Sequence, residues 1–171
     1  MWPYHPELLE TPVPRYTSYP TAADFDVLPA CHYRTALERT EGDVSLYLHI
    51  PFCEQICFYC GCNTGKANKR KRLESYLRAL HREIETVAAL LPRGTRVRRI
   101  AFGGGSPNSL PLVDFVRLMQ QIIRCFDAHH AEISVELDPR RLDAPWIDTM
   151  AAMGVDRVNL GVQTFSPQVQ V

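Results

Sequence analysis

The feature that most limits the fold is an alternation, from Ser45 onward, of short strand-like runs with longer amphipathic helical ones. "SLYLHI" (45–50) reads as a strand, because side chains alternate across a strand: Leu46, Leu48 and Ile50 take one face, Tyr47 and His49 the other. A helix is expected from about Asn68 to Leu91, with Leu73, Leu77, Leu80, Ile84, Val87 and Leu91 at steps of four and three. Pro92 and Gly94 end it. "VRRIAF" (97–102) is a second strand, closed by Gly103, Gly104 and Gly105. Ser109 is a plausible N-cap for the next helix, which has Pro111 in its first turn. Its buried face is expected to be Leu112, Phe115, Val116, Met119, Ile122, Ile123 and Phe126. "EISVELD" (132–138) and "RVNLGV" (157–162) complete the strands, and a helix from Pro145 to Met153, stopped by Gly154, lies between them. Strand and helix in strict alternation imply an α/β fold with a parallel sheet and right-handed crossovers. Four such units are too few to close an eight-stranded barrel.

Residues 1–44 are irregular and proline-rich, apart from a short helical pattern between Ala30 and Arg39. The domain expectation is therefore an N-terminal arm over 1–44 and a βα core over 45–171. At 171 residues, with 46% apolar and 22% charged side chains, the chain is ordinary for one globular domain with a core. Its 19 basic and 19 acidic side chains cancel, which argues against nucleic acid or an anionic membrane as partner. No apolar run approaches the length of a membrane span, and "MWPYHPELLE" lacks the pattern of a signal peptide. A cytoplasmic protein is expected, and there clustered cysteines read as metal ligands or redox groups rather than disulfides.

Such a cluster exists. "CEQICFYCGCN" holds Cys53, Cys57, Cys60 and Cys62, while Cys31 and Cys125 stand apart and read as packing residues. In parallel α/β folds chemistry gathers at the C-terminal ends of the strands. The cysteine loop follows the first strand, the glycines the second, Glu136 and Asp138 end the third, and Gln163 ends the fourth. Soft thiolates on a short loop suit zinc or an iron–sulfur cluster. Structural zinc prefers four ligands in C-x2-C pairs, and Cys62, two residues after Cys60, offers a poor bite for that geometry. A 4Fe–4S cube held by three cysteines would leave one iron open.

Each signal also has a plainer reading. Three glycines can be a tight strand-end turn, and they lack the endings of a P-loop or a dinucleotide fingerprint. His49 can be a satisfied core histidine, Lys69-Arg70-Lys71-Arg72 a solvated helix start, and Glu136-x-Asp138 a strand end facing water. Their joint placement on one rim is what raises them.

C-x3-C-x2-C after a first strand, with Tyr59 before the third cysteine, resembles the radical S-adenosylmethionine enzymes. "YLHIPFC", "FYCGCN", "RYTSYPTA" (15–22), "FGGGSPN" (102–108), "VELDPR" (135–140) and "NLGVQTF" (159–165) are similar to one branch, the oxygen-independent coproporphyrinogen III oxidases. The resemblance implies a partial parallel βα barrel in which Cys53, Cys57 and Cys60 each hold one iron of a 4Fe–4S cluster. The fourth iron would chelate S-adenosylmethionine. Reductive cleavage would give methionine and a 5′-deoxyadenosyl radical, which takes a hydrogen from a propionate of coproporphyrinogen III. Loss of one electron and carbon dioxide then leaves a vinyl group, and two such events give protoporphyrinogen IX.

It further implies that Tyr47, Tyr59, Gly104, Gly105, Ser106, Glu136 and Gln163 contact one or two S-adenosylmethionine molecules; no catalytic residue is assigned beyond the cluster. The chemistry suits them. Uncovered glycine backbone can lie against a zwitterion, and a carboxylate at Glu136 can accept from ribose hydroxyls. Cys62 matches a family cysteine that is not a ligand and separates this branch from its haem-chaperone relatives. Ser106 stands where the family often has threonine.

The implied partners are coproporphyrinogen III and an unidentified electron donor, with the protein a monomer. Cores of this family have six βα units and an added C-terminal domain, so the sequence reads as an N-terminal part, and the isolated 171-residue chain is expected to be poorly stable and inactive. The alternatives are a cluster-binding chain without turnover and a haem-chaperone-like relative.

Overall fold

Every strand pairing in the computed structural model, which describes residues 24–58, 60–66, 70–162 and 164–169, is parallel. The main sheet contains β1 (Val44–Ile50), β4 (Val97–Gly104), β5 (Glu132–Leu137) and β6 (Arg157–Leu160). They lie in the order β1-β4-β5-β6, so strands that follow one another through a helix are also neighbours. The helices α2 (Arg70–Leu90), α3 (Leu112–Cys125) and α4 (Ala144–Ala152) are the three crossovers. Crossovers of one hand, taken in one direction, put all the helices on one face, as at the start of a βα barrel. β2 (Phe52–Cys53) and β3 (Gly65–Lys66) form a separate short ladder at the two ends of the cysteine loop.

The chain divides into two units, Met1–Tyr33 and Arg34–Val171. In the first, the described residues include the opening of helix α1 (Ala30–Glu38), where Cys31 is exposed rather than packed. "RYTSYPTA" lies outside the described residues. Among the described residues no helix is long and apolar enough to cross a membrane.

Strand register sorts the faces. Leu48 pairs with Phe102, Ile100 with Ile133 and Phe102 with Val135; the Phe102 ring and these branched chains are buried in one core with the helices. The opposite face carries Tyr47, Ala101, Ser134 and Glu136 and stays open. Leu73, Leu77, Leu80 and Ile84 of α2 are buried, as their spacing requires. On α3 the buried set is Phe115, Leu118, Met119 and Ile122, whereas Ile123, expected inside, is 41% exposed. A run of adjacent apolar residues leaves the stripe ambiguous by one position, and packing against the sheet resolves it. Each fully buried large side chain contributes roughly 1.5–3 kcal/mol of transfer free energy.

Three further expectations change. Gly103 and Gly104 belong to β4 itself, paired with His49 and Ile50, so the strand outlasts "VRRIAF". Ser109 does not cap α3: it sits in a 3-10 turn (Pro107–Ser109), and Pro111 occupies the N-cap without a side-chain bond. β6 ends at Leu160, and all its residues are exposed, including Val158 and Leu160 on the face that Val135 and Leu137 share. The cap of α4 is well formed, with Asp143 accepting from the Trp146 N–H at 3.1 Å. Asp143→Ala should lower stability by about 1 kcal/mol, read as a lower urea midpoint at unchanged slope. An unchanged midpoint would show that the cap contributes nothing.

Candidate functional site

The cysteine loop is pinned at its base. Gly65 N–H donates to the Pro51 carbonyl at 2.9 Å, and His49 Nε2 lies 3.0 Å from the Asn63 carbonyl oxygen. A carbonyl only accepts, so Nε2 carries the proton, and in a neutral ring Nδ1 is left to accept from the Tyr47 hydroxyl 3.4 Å away. His49 is therefore a link between strand and loop rather than a core residue. The Tyr76 hydroxyl donates to the His49 carbonyl, fixing the same strand end from α2. Of the basic run, Arg70 pairs with Glu74 at 2.7 Å, and Arg72 lies over the Phe52 ring.

Phe52, just before Cys53, is held from the end of the neighbouring strand, β4. Its carbonyl accepts from the Ser106 N–H at 2.7 Å and from the Ser109 hydroxyl at 3.0 Å. The glycines make this approach possible. Gly104 has φ +104°, in the region that side chains disfavour, and a Cβ there would strike the His49 ring. A Cβ on Gly105 would sit 2.5 Å from the Phe52 carbonyl oxygen and 2.8 Å from that of Ile50, both backbone atoms that cannot step aside.

All four loop cysteines are free thiols; Cys53 and Cys60 are half-buried, Cys57 and Cys62 exposed. Cys53 Sγ stands 3.8 Å from the Ser106 hydroxyl and Cys60 Sγ 3.8 Å from that of Thr64. Burial pushes the Cys53 thiol up, with the Ser106 hydrogen bond opposing it. The Cys62 backbone N–H, then the Thr64 hydroxyl, hold the Cys60 thiol below its ordinary range, while burial and the neighbouring Cys60 push Cys62 up. Of this pair Cys60 is the readier thiolate, the form that binds metal. Among the described residues no three such groups converge on a point for one ion. A cube offers each thiolate its own iron and needs no such point, so free thiols spread along one loop fit it.

Next to the loop, the Tyr47 hydroxyl and the Glu136 carboxylate both lie over Gly103, where a Cβ would be 3.1 Å and 2.6 Å from them. Gly104 N–H points at Glu136 Oε2 from 3.4 Å. Burial, then the negative charges of Glu136 and Cys62, push the Tyr47 phenol up. The rim thus gathers Tyr47, Gly104, Gly105, Ser106, Glu136 and the cysteine loop; Tyr59 and Gln163 lie outside the described residues. An open carboxylate and a phenol over the glycine strand end, beside thiols, make a surface that can hold a polar, zwitterionic molecule against a thiolate-bound metal group.

Sequence reasoning missed two connecting groups. Asn108, 2% exposed, donates to the Asp138 carbonyl at 2.9 Å and accepts from its N–H at 3.1 Å. Asp138 is no plain strand end: it caps a 3-10 turn (Pro139–Arg141), and the Arg140 guanidinium beside it holds its carboxyl below the usual range. The Asp-Pro-Arg run after a strand was the available signal.

The family description "Radical SAM superfamily" matches residues 47–171. Oxygen-independent coproporphyrinogen III oxidase from Bradyrhizobium diazoefficiens is 42% identical over 165 residues, covering 94% of this chain and 37% of the relative. The Escherichia coli K12 protein of the same name is 39% identical over 160 residues, covering 92% and 35%. A solved structure of coproporphyrinogen III oxidase from Escherichia coli, described as a radical SAM enzyme, superposes with a TM-score of 0.84 at 36% identity, over 98% of this chain and 38% of that one. The chain spans a little over a third of the length of the relatives it matches.

Proposed function

This chain belongs to the radical SAM superfamily, and from that premise we propose that it forms the cluster-binding and S-adenosylmethionine-binding end of an oxygen-independent coproporphyrinogen III oxidase. The observation that carries the reading is the meeting, at one strand-end rim, of the free-thiol loop with the glycine end of β4 and the Glu136 carboxylate. Cys53, Cys57 and Cys60 hold a 4Fe–4S cluster, and Cys62 stays off it. When bound, the cluster and S-adenosylmethionine would supply one-electron chemistry directed at a propionate side chain.

The chain's own residues bind and orient. Ser106 sets its hydroxyl beside the Cys53 sulfur and its N–H on the carbonyl before it, so ligand and glycine edge move as one piece. Glu136 accepts from ribose hydroxyls, and Tyr47, Tyr59, Gly104, Gly105 and Gln163 complete the contacts to one or two S-adenosylmethionine molecules. His49, protonated on Nε2, keeps the far end of the loop against β1. Residues 45–171 are the opening units of the barrel, in a cytoplasmic monomer that takes electrons from a separate donor and coproporphyrinogen III as substrate.

The test is anaerobic reconstitution of the full chain with iron and sulfide. A brown protein whose electron paramagnetic resonance signal changes on adding S-adenosylmethionine is the expected result. Stoichiometric zinc with no response to S-adenosylmethionine would overturn it.

A further inference from the structure

We propose that Arg140, locked by Asp138, is a positioning residue that braces the cysteine loop between Cys53 and Cys57 through Gln55. The brace starts in the core. Buried Asn108, after β4, clamps both backbone groups of Asp138, after β5. The Asp138 side chain, only 12% exposed, then takes Arg140 in a fork: Nε lies 2.9 and 3.1 Å from its two oxygens and Nη2 lies 2.6 Å from one of them. A planar guanidinium gripped this way has lost most of its rotamer freedom already, so its remaining N–H groups are aimed before they meet a partner. Nη1 donates to Gln55 Oε1 at 3.0 Å.

Gln55 sits midway between Cys53 and Cys57, so the contact fixes the arc that joins two of the thiols. Arg141 adds a bridge to Glu54 at 2.9 Å. The two arginines are alike in exposure, and what sets Arg140 apart is the fork by which the half-hidden Asp138 carboxylate aims it. Cys53 is held from two directions: from β4 through the Phe52 carbonyl, and from β5 through Gln55. Because Glu136 lies on the same strand just before the brace, the carboxylate and the thiol loop share one rigid support.

The role given to Arg140 rests on the cluster reading only for its consequence, and the experiment separates the two. In the iron-free full chain, the rate of Cys53 alkylation is followed by mass mapping against Cys125 as internal control. Gln55→Ala and Arg140→Ala should each speed Cys53 labelling roughly threefold to tenfold, the range one net hydrogen bond sets. The double variant should be no faster than Arg140→Ala alone, because the Gln55 contact is already lost in it. In reconstituted protein the same variants should lose iron to a chelator faster by a similar factor. Exposed Gln55→Ala keeps the test valid if Arg140→Ala unfolds the chain. Unchanged Cys53 labelling in Gln55→Ala, additive effects in the double variant, or a change in KM for S-adenosylmethionine without faster labelling would each overturn the brace. A chain that binds no cluster yet shows the non-additive labelling would refute the proposed function and leave the brace standing.

Discussion

Cys53→Ser, Cys57→Ser and Cys60→Ser will each emerge from anaerobic reconstitution with little or no iron, while Cys31→Ser, Cys62→Ser and Cys125→Ser keep it. Serine preserves shape but replaces a soft, ionisable thiol with a hard hydroxyl that stays protonated at neutral pH, so a ligand is lost without a packing defect. The contrast between Cys60 and Cys62 is the sharpest part. They are two residues apart and interact, yet the hydrogen bonds from the Cys62 N–H and Thr64 favour the thiolate at Cys60, while partial desolvation and the neighbouring Cys60 disfavour it at Cys62. Iron and sulfide per chain, with the low-temperature paramagnetic signal, decide it. Full cluster content in Cys57→Ser, or loss of it in Cys62→Ser, would reassign the ligands.

Phe115→Ala should cost about 3–5 kcal/mol, the range for removing a buried aromatic and leaving a cavity. Phe115 is 0% exposed and its ring lies between those of Phe102 and Trp146, with centroids 5.2 and 5.0 Å away. It thus joins β4, α3 and α4. Against a total stability of about 5–15 kcal/mol, that loss brings the chain close to unfolding at ordinary temperature. Ile123→Ala, about two turns along the same helix but 41% exposed, should stay within about 0.5 kcal/mol. Denaturant titration of the full chain measures both; equal midpoint shifts would mean that the packing of α3 has been assigned to the wrong face.

These two positions on α3 also show why part of the fold was hidden. Leu118, Ile122 and Ile123 are all apolar, so a periodicity of 3.6 alone admits more than one stripe. The sheet chooses, because only one rotation of the helix puts Phe115 between Phe102 and Trp146. Ser109 illustrates a second limit. Its type and place suit an N-cap, but its hydroxyl goes to the Phe52 carbonyl, a partner 57 residues away that local reading cannot see.

What the sequence by itself determined was the parallel order of the strands, the loop on which the thiols sit, and the strand ends that carry Tyr47, the glycines and Glu136. Those follow from alternation, spacing and the chirality of crossovers, all of which are local. What only the tertiary structure decided was how the rim is held together: His49 with Asn63, Asn108 with Asp138, and Arg140 with Gln55, partners 14, 30 and 85 residues apart. Hydrogen bonds of that reach depend on strand register and on which loops the sheet brings face to face. Many side chains could make them, and packing selects the ones that do.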